Sequence, residues 1–100
     1  MSYFFHPLAA DEHLEQIAFY ESRQVGLGAR YLAAFDAAML HVCQQPDQFK
    51  VVREPGIRSC LFKIFPFSVI YRESASGVEV LAVSAHRRRP MYWVDRQIGS

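Results

Sequence analysis

The sequence predicts an α+β fold, in which a hairpin of two helices packs on a small antiparallel β-sheet. Apolar residues recur at helical spacing between residues 7 and 44, whereas residues 57–85 consist of short runs rich in Val, Ile, Phe and Tyr. The joins between those runs are short, and short joins connect antiparallel strands because parallel neighbours need a long crossover. At 100 residues the chain has the length of one domain, spanning residues 1–100.

The first segments predict an edge strand followed by a helix. Residues 2–5 form an aromatic run typical of a short strand, and Pro7 suits the first helical turn, where its missing N–H is no loss. Asp11 and Glu12 then lie early in the helix, on the side that the helix dipole favours. The predicted apolar stripe of this helix is Leu14, Ile17 and Ala18, extended by Val25.

A second helix is predicted from about Leu27 to Gln44. Gly26 is the expected left-handed residue between the helices, and Pro46 stops the second one. Its predicted apolar face is Leu32, Phe35, Ala38, Met39 and Val42. Because the link between the helices is so short, they must pack as an antiparallel hairpin.

The second half of the chain predicts the sheet. Residues 46–56 are expected to be a loop that ends in the Pro55–Gly56 turn. Strands are predicted at residues 57–65, 67–73 and 78–85, with Cys60, Phe62 and Ile64 on one face of the first. The run Val-Leu-Ala-Val in the last strand is apolar on both faces, which indicates a central or helix-covered strand. The tail from residue 91 to residue 98 is expected to form a short helix or to lie across the sheet.

The charge is divided unevenly between the two halves. Residues 1–49 carry two Arg and six Asp or Glu, a net charge of −4, whereas residues 50–100 carry nine Lys or Arg and four acids, a net charge of +5. Such a chain can present a basic face to a polyanion while its total charge stays at +1. The alternative is that the two halves attract each other within the fold.

Several functional classes are disfavoured. Cys43 and Cys60 are too few and too far apart for a zinc site and are interpreted as small apolar fillers, so no metal or organic cofactor is expected. No apolar run reaches the roughly 20 residues of a membrane span. The N-terminus lacks the basic head and cleavage site of a signal peptide, which predicts a cytoplasmic protein.

Motifs along most of the chain resemble the RelE/ParE family, the toxins of bacterial type II toxin–antitoxin modules. The similarity covers about residues 5–93 and includes Gly-Leu-Gly-x-x-Tyr-Leu, Phe-Pro-Phe, Ile-Tyr-Arg and His-Arg-Arg-x-Pro-x-x-Trp, the last three typical of the ParE-like branch. The resemblance implies a small toxin that a neighbour-encoded antitoxin neutralises, by sheet-edge pairing and by filling an apolar groove. Assembly as a homodimer or as a toxin–antitoxin hetero-oligomer stays open.

The resemblance implies two alternative activities. ParE-like members inhibit DNA gyrase without assigned catalytic residues, whereas RelE-like members cut messenger RNA on the ribosome; some relatives have no demonstrated toxicity. RNA cleavage needs a group to accept the ribose 2′-OH proton and cations to hold the phosphate. The RNA-cutting branch has an arginine on the middle strand where this chain has Ser68, which favours the gyrase alternative and a protein that is not an enzyme. The weak catalytic candidates are His86, Arg88 and Tyr92.

The run of three arginines at residues 87–89 has a structural and a functional interpretation. Adjacent like charges need anions, and these could be Glu15 or Glu21 on the first helix, an antitoxin, or a target. On an extended chain, Arg87 and Arg89 would point to one side and Arg88 to the other. The predicted basic functional surface is Arg58, Lys63, Arg72, Arg87, Arg88 and Arg89.

The remaining chemistry-bearing residues are given structural roles. His86 at a strand end is more often a surface or packing residue than a base, and His6, His13 and His41 lack metal-ligand spacing. Pro90 and Trp93 are expected to pack the tail back on the domain. Tyr20, Tyr31 and Tyr71 are expected at the seam between helices and sheet.

Overall fold

The computed structural model describes residues 1–97, and it confirms the α+β fold. The elements in chain order are β1 (Tyr3–Phe5), α1 (Pro7–Arg23), α2 (Leu27–Gln44), β2 (Lys50–Arg53), β3 (Ile57–Leu61), β4 (Phe67–Ser74), β5 (Gly77–Ala85) and a 3₁₀ helix (Val94–Gln97). The sheet is mixed, in the order β1-β5-β4-β3-β2. Strands β3, β4 and β5 pair antiparallel as predicted, and β2 also pairs antiparallel with β3. The prediction of a wholly antiparallel sheet is wrong at one edge, because β1 pairs parallel to β5 and the helical hairpin lies between these two strands in the chain.

The segment predicted as a loop between α2 and β3 contains the edge strand β2, so that prediction is wrong. Lys50 and Val51 pair antiparallel with Ser59 and Arg58 of β3. Between the turn-forming pairs Pro46–Asp47 and Pro55–Gly56 lie seven residues, of which β2 takes only four. That is too short a run for a period of two to be recognised, and the pairing with β3 decides the conformation.

The strand predicted at residues 57–65 ends earlier than expected. Strand β3 stops at Leu61, and the chain then turns tightly, with the Phe65 N–H donating to the Lys63 C=O at 2.7 Å and the Phe67 N–H to the Phe65 C=O at 2.9 Å. Ile64 has a φ of 58° in this turn. A positive φ breaks the alternation of a strand, so Ile64 is exposed and does not share the buried face of Cys60 and Phe62.

The buried face of α1 differs from the predicted stripe. Leu14, Ala18 and Val25 are exposed, and Ile17 is half-buried. The positions that face the core are Ala9, His13, Ile17 and Tyr20. The reason is that aromatic rings fill the seam: the ring of His13 lies 4.2 Å from that of Phe35 and 5.2 Å from that of Phe5, so the helix turns its histidine inward.

Helix α2 has the bounds that its apolar pattern predicts. Gly26 lies between the helices with a φ of 89°, as expected for a left-handed residue. The Glu21 carboxylate accepts the N–H groups of Gly26 and Gly28 at about 3 Å. The predicted face is buried except for Leu32, and Tyr31 is buried beside it.

The sheet is covered on both faces. The helical hairpin lies over one face, and on the other Ile57, Ile70, Leu81 and Ala82 pack against Trp93 of the tail. Strand β5 is therefore buried on both faces, as its apolar run predicts. The tail both lies across the sheet and forms the short 3₁₀ helix; the predicted tail residue Ile98 falls outside the described residues. No helix within residues 1–97 is long and apolar enough to cross a membrane.

Candidate functional site

The three consecutive arginines lie in an exposed turn at one end of the sheet. The chain leaves its extended conformation directly after Ala85, and the Arg88 N–H donates to the Ala85 C=O at 3.0 Å. The expected alternation of Arg87 and Arg89 against Arg88 therefore does not apply. The β3–β4 turn emerges at the same end, since the His86 N–H donates to the Pro66 C=O at 3.0 Å.

The helix–sheet seam holds an ion pair, but its partners differ from those predicted. Glu21 caps the start of α2, and within residues 1–97 neither Glu21 nor Glu15 forms an ion pair with the arginine turn. The carboxylate that crosses the seam belongs to Glu12, and its guanidinium partner is Arg96 of the tail, at 2.9 Å. Within the arginine turn, the Arg88 guanidinium stacks on an aromatic ring and lies 4.0 Å from the centre of Tyr92.

Two members of the predicted basic surface are engaged within the sheet. The Arg58 guanidinium donates to the Phe49 C=O at 2.7 Å, which ties the start of β2 to β3. Arg72 pairs with Glu79 on the neighbouring strand, and its Nε and Nη2 each lie 2.8 Å from the Glu79 Oε1. The members that lie exposed at one end of the sheet are Lys63, Arg87, Arg88 and Arg89, and we call these four residues the basic end.

His86 has a hydrogen-bond partner that the sequence did not reveal. Its Nε2 lies 3.0 Å from the Ser68 Oγ on β4. Ser68 pairs with Ser84 in the sheet, and the chain turn two residues after Ser84 brings the His86 ring over β4. Ser68 is buried in β4, whereas His86 belongs to the exposed turn, so the hydrogen bond connects this turn to the sheet.

Tyr92 lies in a separate cluster. Its hydroxyl donates to the Glu12 carboxylate at 2.8 Å, and burial, reinforced by Glu12, raises the pKa of Tyr92 to about 12. A phenol in this state does not release its proton near neutral pH. Within residues 1–97 no hydrogen bond joins His86 to Tyr92, so the three weak catalytic candidates are distributed between a Ser68–His86 pair and an Arg88–Tyr92 stack.

Glu12 is the polar centre that sequence reasoning missed. Beyond the end of β1, strand β5 has a free edge, where the Val83 N–H donates to Glu12 at 3.0 Å and the Leu81 C=O accepts from Arg96 at 2.9 Å. Two side chains thus replace the missing edge strand. The signal that the sequence offered for Glu12 was its position near the start of α1, which was interpreted as a helix-dipole effect. That interpretation is wrong, because α1 begins at Pro7 and its first turn contains no acid.

Of the three remaining histidines, His6 and His13 have the structural roles that were predicted, whereas His41 lies at the surface. His6 accepts the Leu8 N–H at the start of α1. His13 is buried, and its burial lowers its pKa. His41 is exposed on α2. Burial raises the pKa of the Cys43 and Cys60 thiols, both of which are free. The described part of the chain holds no group of three or more potential metal ligands.

An apolar groove of about 730 Å³ runs between α2 and the end of β3. Four alanines of α2 form one wall, and Phe49, Cys60, Leu61 and Ile64 contribute the opposite side. Three potential cations surround it, namely Arg30, His41 and Lys63, and no acidic residue is among those that line it. The groove is of the kind that the resemblance implies for antitoxin binding.

The helical hairpin on a mixed sheet, the exposed arginine turn and the apolar groove define a small toxin fold of the RelE/ParE type. The family model described as "ParE toxin of type II toxin-antitoxin system, parDE" matches residues 3–90. The chain therefore belongs to the ParE toxin family, which confirms the resemblance and gives it a cognate antitoxin as the partner that the family implies. A search of curated proteins found no significant match.

Proposed function

We propose that this protein is the toxin of a type II toxin–antitoxin module, that it acts by binding and inhibiting DNA gyrase, and that a cognate antitoxin neutralises it. The family match supports the toxin class. The observation that carries the mode of action is the basic end: Lys63, Arg87 and Arg89 are exposed, and within residues 1–97 none of them has a carboxylate partner.

Electrostatics explains why the basic end is a docking surface. Adjacent guanidinium groups repel one another, and the fold supplies no anion to the two outer arginines among its described residues. A bound partner that carries acids or phosphates relieves that repulsion and is steered to the site at low ionic strength. Both gyrase and the ribosome operate in the bacterial cytoplasm, so the proposal places the toxin there.

The double substitution of Arg87 and Arg89 to alanine tests the mode of action, since it leaves the Arg88–Tyr92 stack in place. In a supercoiling assay with purified gyrase, we expect wild-type protein to inhibit and the double variant to need at least about tenfold more protein. The matched control removes two exposed cations elsewhere, Lys50 and Arg53 of β2. Wild-type protein without effect on supercoiling would refute the gyrase proposal.

A second candidate, ribosome-dependent RNA cleavage, is favoured by the Ser68–His86 hydrogen bond, which positions an imidazole beside a row of cations. Against it, Tyr92 is engaged with Glu12. Induction in cells separates the candidates: filamentation with intact messages supports gyrase, and truncated messages that disappear in His86→Ala support cleavage. Normal growth in the absence of the antitoxin would indicate a relative that has lost toxicity.

We propose that the antitoxin binds in the apolar groove. Its apolar lining offers an uncovered hydrophobic surface, and its cations select an acidic segment. If charge contributes, the neighbour-encoded antitoxin binds more tightly at low salt than at high salt. Equal affinity at both would remove the electrostatic part of this proposal.

A further inference from the structure

Ile64 in the β3–β4 turn combines two features that disfavour the folded chain. Its φ is 58°, a left-handed conformation that is sterically costly for a β-branched residue. Its side chain is also 83% exposed, so the fold gains almost no burial from it. A residue such as Asn or Gly would satisfy this backbone conformation at lower cost.

The neighbours of Ile64 explain why the turn has this shape. Phe62 is buried and its N–H donates to the Phe67 C=O at 2.9 Å. The Phe65 ring packs edge-on against Tyr20 and Tyr31, with ring centres 5.1 and 5.6 Å away. Two anchored rings therefore hold the backbone of residue 64 in place. None of these contacts uses the isoleucine side chain itself.

The side chain of Ile64 stands at the rim of the apolar groove, together with Leu61, which is also exposed. The opposite wall is the face of α2 formed by Ala33, Ala34, Ala37 and Ala38. Alanines at this spacing leave room for the backbone of a second helix to approach closely. A large apolar side chain on one rim and small ones on the other wall suit an amphipathic helix lying along α2.

We propose that Ile64 is the main hydrophobic anchor for a helical segment of the antitoxin, whose apolar face covers Leu61 and the alanines and whose acidic flanks meet Arg30 and Lys63. This inference rests on the proposed function, because it takes the antitoxin as the occupant of the groove. The charge of the groove supports that choice, since its lining contains potential cations and no acid. The backbone strain at Ile64 is retained because the side chain contributes to binding and not to folding.

The test compares Ile64→Asn with wild type for stability and for binding to the purified neighbour-encoded antitoxin. Asn tolerates a positive φ, so we expect the variant to unfold at the same temperature as wild type or above it. We expect its antitoxin affinity to fall at least about tenfold, as for an interface anchor. The matched control is Val25→Asn, which removes an exposed apolar side chain outside the groove and leaves the affinity unchanged.

The outcomes separate this inference from the proposal on which it rests. If wild type binds the antitoxin and Ile64→Asn binds it equally well, the anchor is refuted and the antitoxin proposal stands. If Ile64→Asn unfolds at a lower temperature than wild type, the side chain serves the fold and the inference is wrong. If wild type fails to bind the antitoxin, or if it forms a dimer that Ile64→Asn abolishes, the groove has another occupant and both proposals fall.

Discussion

Replacing Glu12 by alanine should lower the free energy of unfolding more than the same replacement of any other acidic residue of α1. The carboxylate accepts four hydrogen bonds: one each from the Val83 N–H and the Tyr92 hydroxyl, and two from Arg96. The side chains of Glu12 and Arg96 are 13% and 11% exposed, so water replaces few of these bonds. Their loss also frees the tail from the seam between α1 and β5.

The expected magnitude follows from this burial. Removing one partner of a buried ion pair costs roughly 3–5 kcal/mol, because the remaining charge is left without compensation. Because Arg96 keeps its hydrogen bond to the Leu81 C=O, we expect a loss of unfolding free energy at the lower end of this range, about 3 kcal/mol. For a domain of this length each kcal/mol corresponds to about 4–8 °C, so the melting temperature should fall by roughly 12–24 °C.

Unfolding in urea, followed by far-UV circular dichroism and by tryptophan fluorescence, measures this effect. Trp93 is the single tryptophan, so its fluorescence reports whether the tail stays on the sheet. The control is Glu15→Ala, which removes an exposed acid of the same helix and should change stability by less than about 0.5 kcal/mol. A loss below about 1 kcal/mol for Glu12→Ala would refute the proposed role of Glu12, because a surface ion pair is worth no more than that.

Two further predictions concern polar groups in the core. Tyr31 and Tyr71 are both fully buried, but the Tyr71 hydroxyl donates to the Pro46 C=O at 2.6 Å whereas that of Tyr31 has no partner among the described residues. Tyr71→Phe should therefore cost about 1–2 kcal/mol in urea unfolding while Tyr31→Phe is neutral or stabilising, and equal losses would contradict this reasoning. Burial holds the pKa of His13 below its usual 6.5, against the opposing charge of Asp36, so the unfolded chain takes up a proton below pH 6.5 that the folded chain resists. Between pH 7.5 and 5.5 wild type should lose up to about 1.4 kcal/mol more stability than His13→Gln, and parallel pH profiles would show that His13 protonates freely in the fold.

Much of the architecture was predictable because it depends on local patterns. The bounds of α2, the left-handed Gly26 and the antiparallel order of the three main strands all follow from residues close together in the chain. The apolar run of β5 likewise indicated burial on both faces. Where the local signal was short, as in β2, or where an aromatic seam outweighed aliphatic spacing, as in α1, the prediction failed.

The candidate site was predictable in its charge and not in its contacts. Three adjacent arginines mark a cationic segment in any fold. Whether such a residue is free depends on contacts that only the fold creates: Arg72 meets Glu79 across the β4–β5 hairpin, Arg88 stacks on Tyr92 because the chain turns after Ala85, and Arg96 meets an acid 84 positions earlier. No spacing rule connects such pairs.

The sequence by itself determined the α+β fold class, the toxin family and the concentration of positive charge after the last strand, since periodicity, motif order and composition are properties of the chain. The tertiary structure alone decided which cations are exposed, that Ser68 pairs with His86, and that an apolar groove opens beside Ile64. The physical reason is that exposure and hydrogen bonding depend on distances between segments, and those distances are set only when the helices pack on the sheet and the tail closes over its other face.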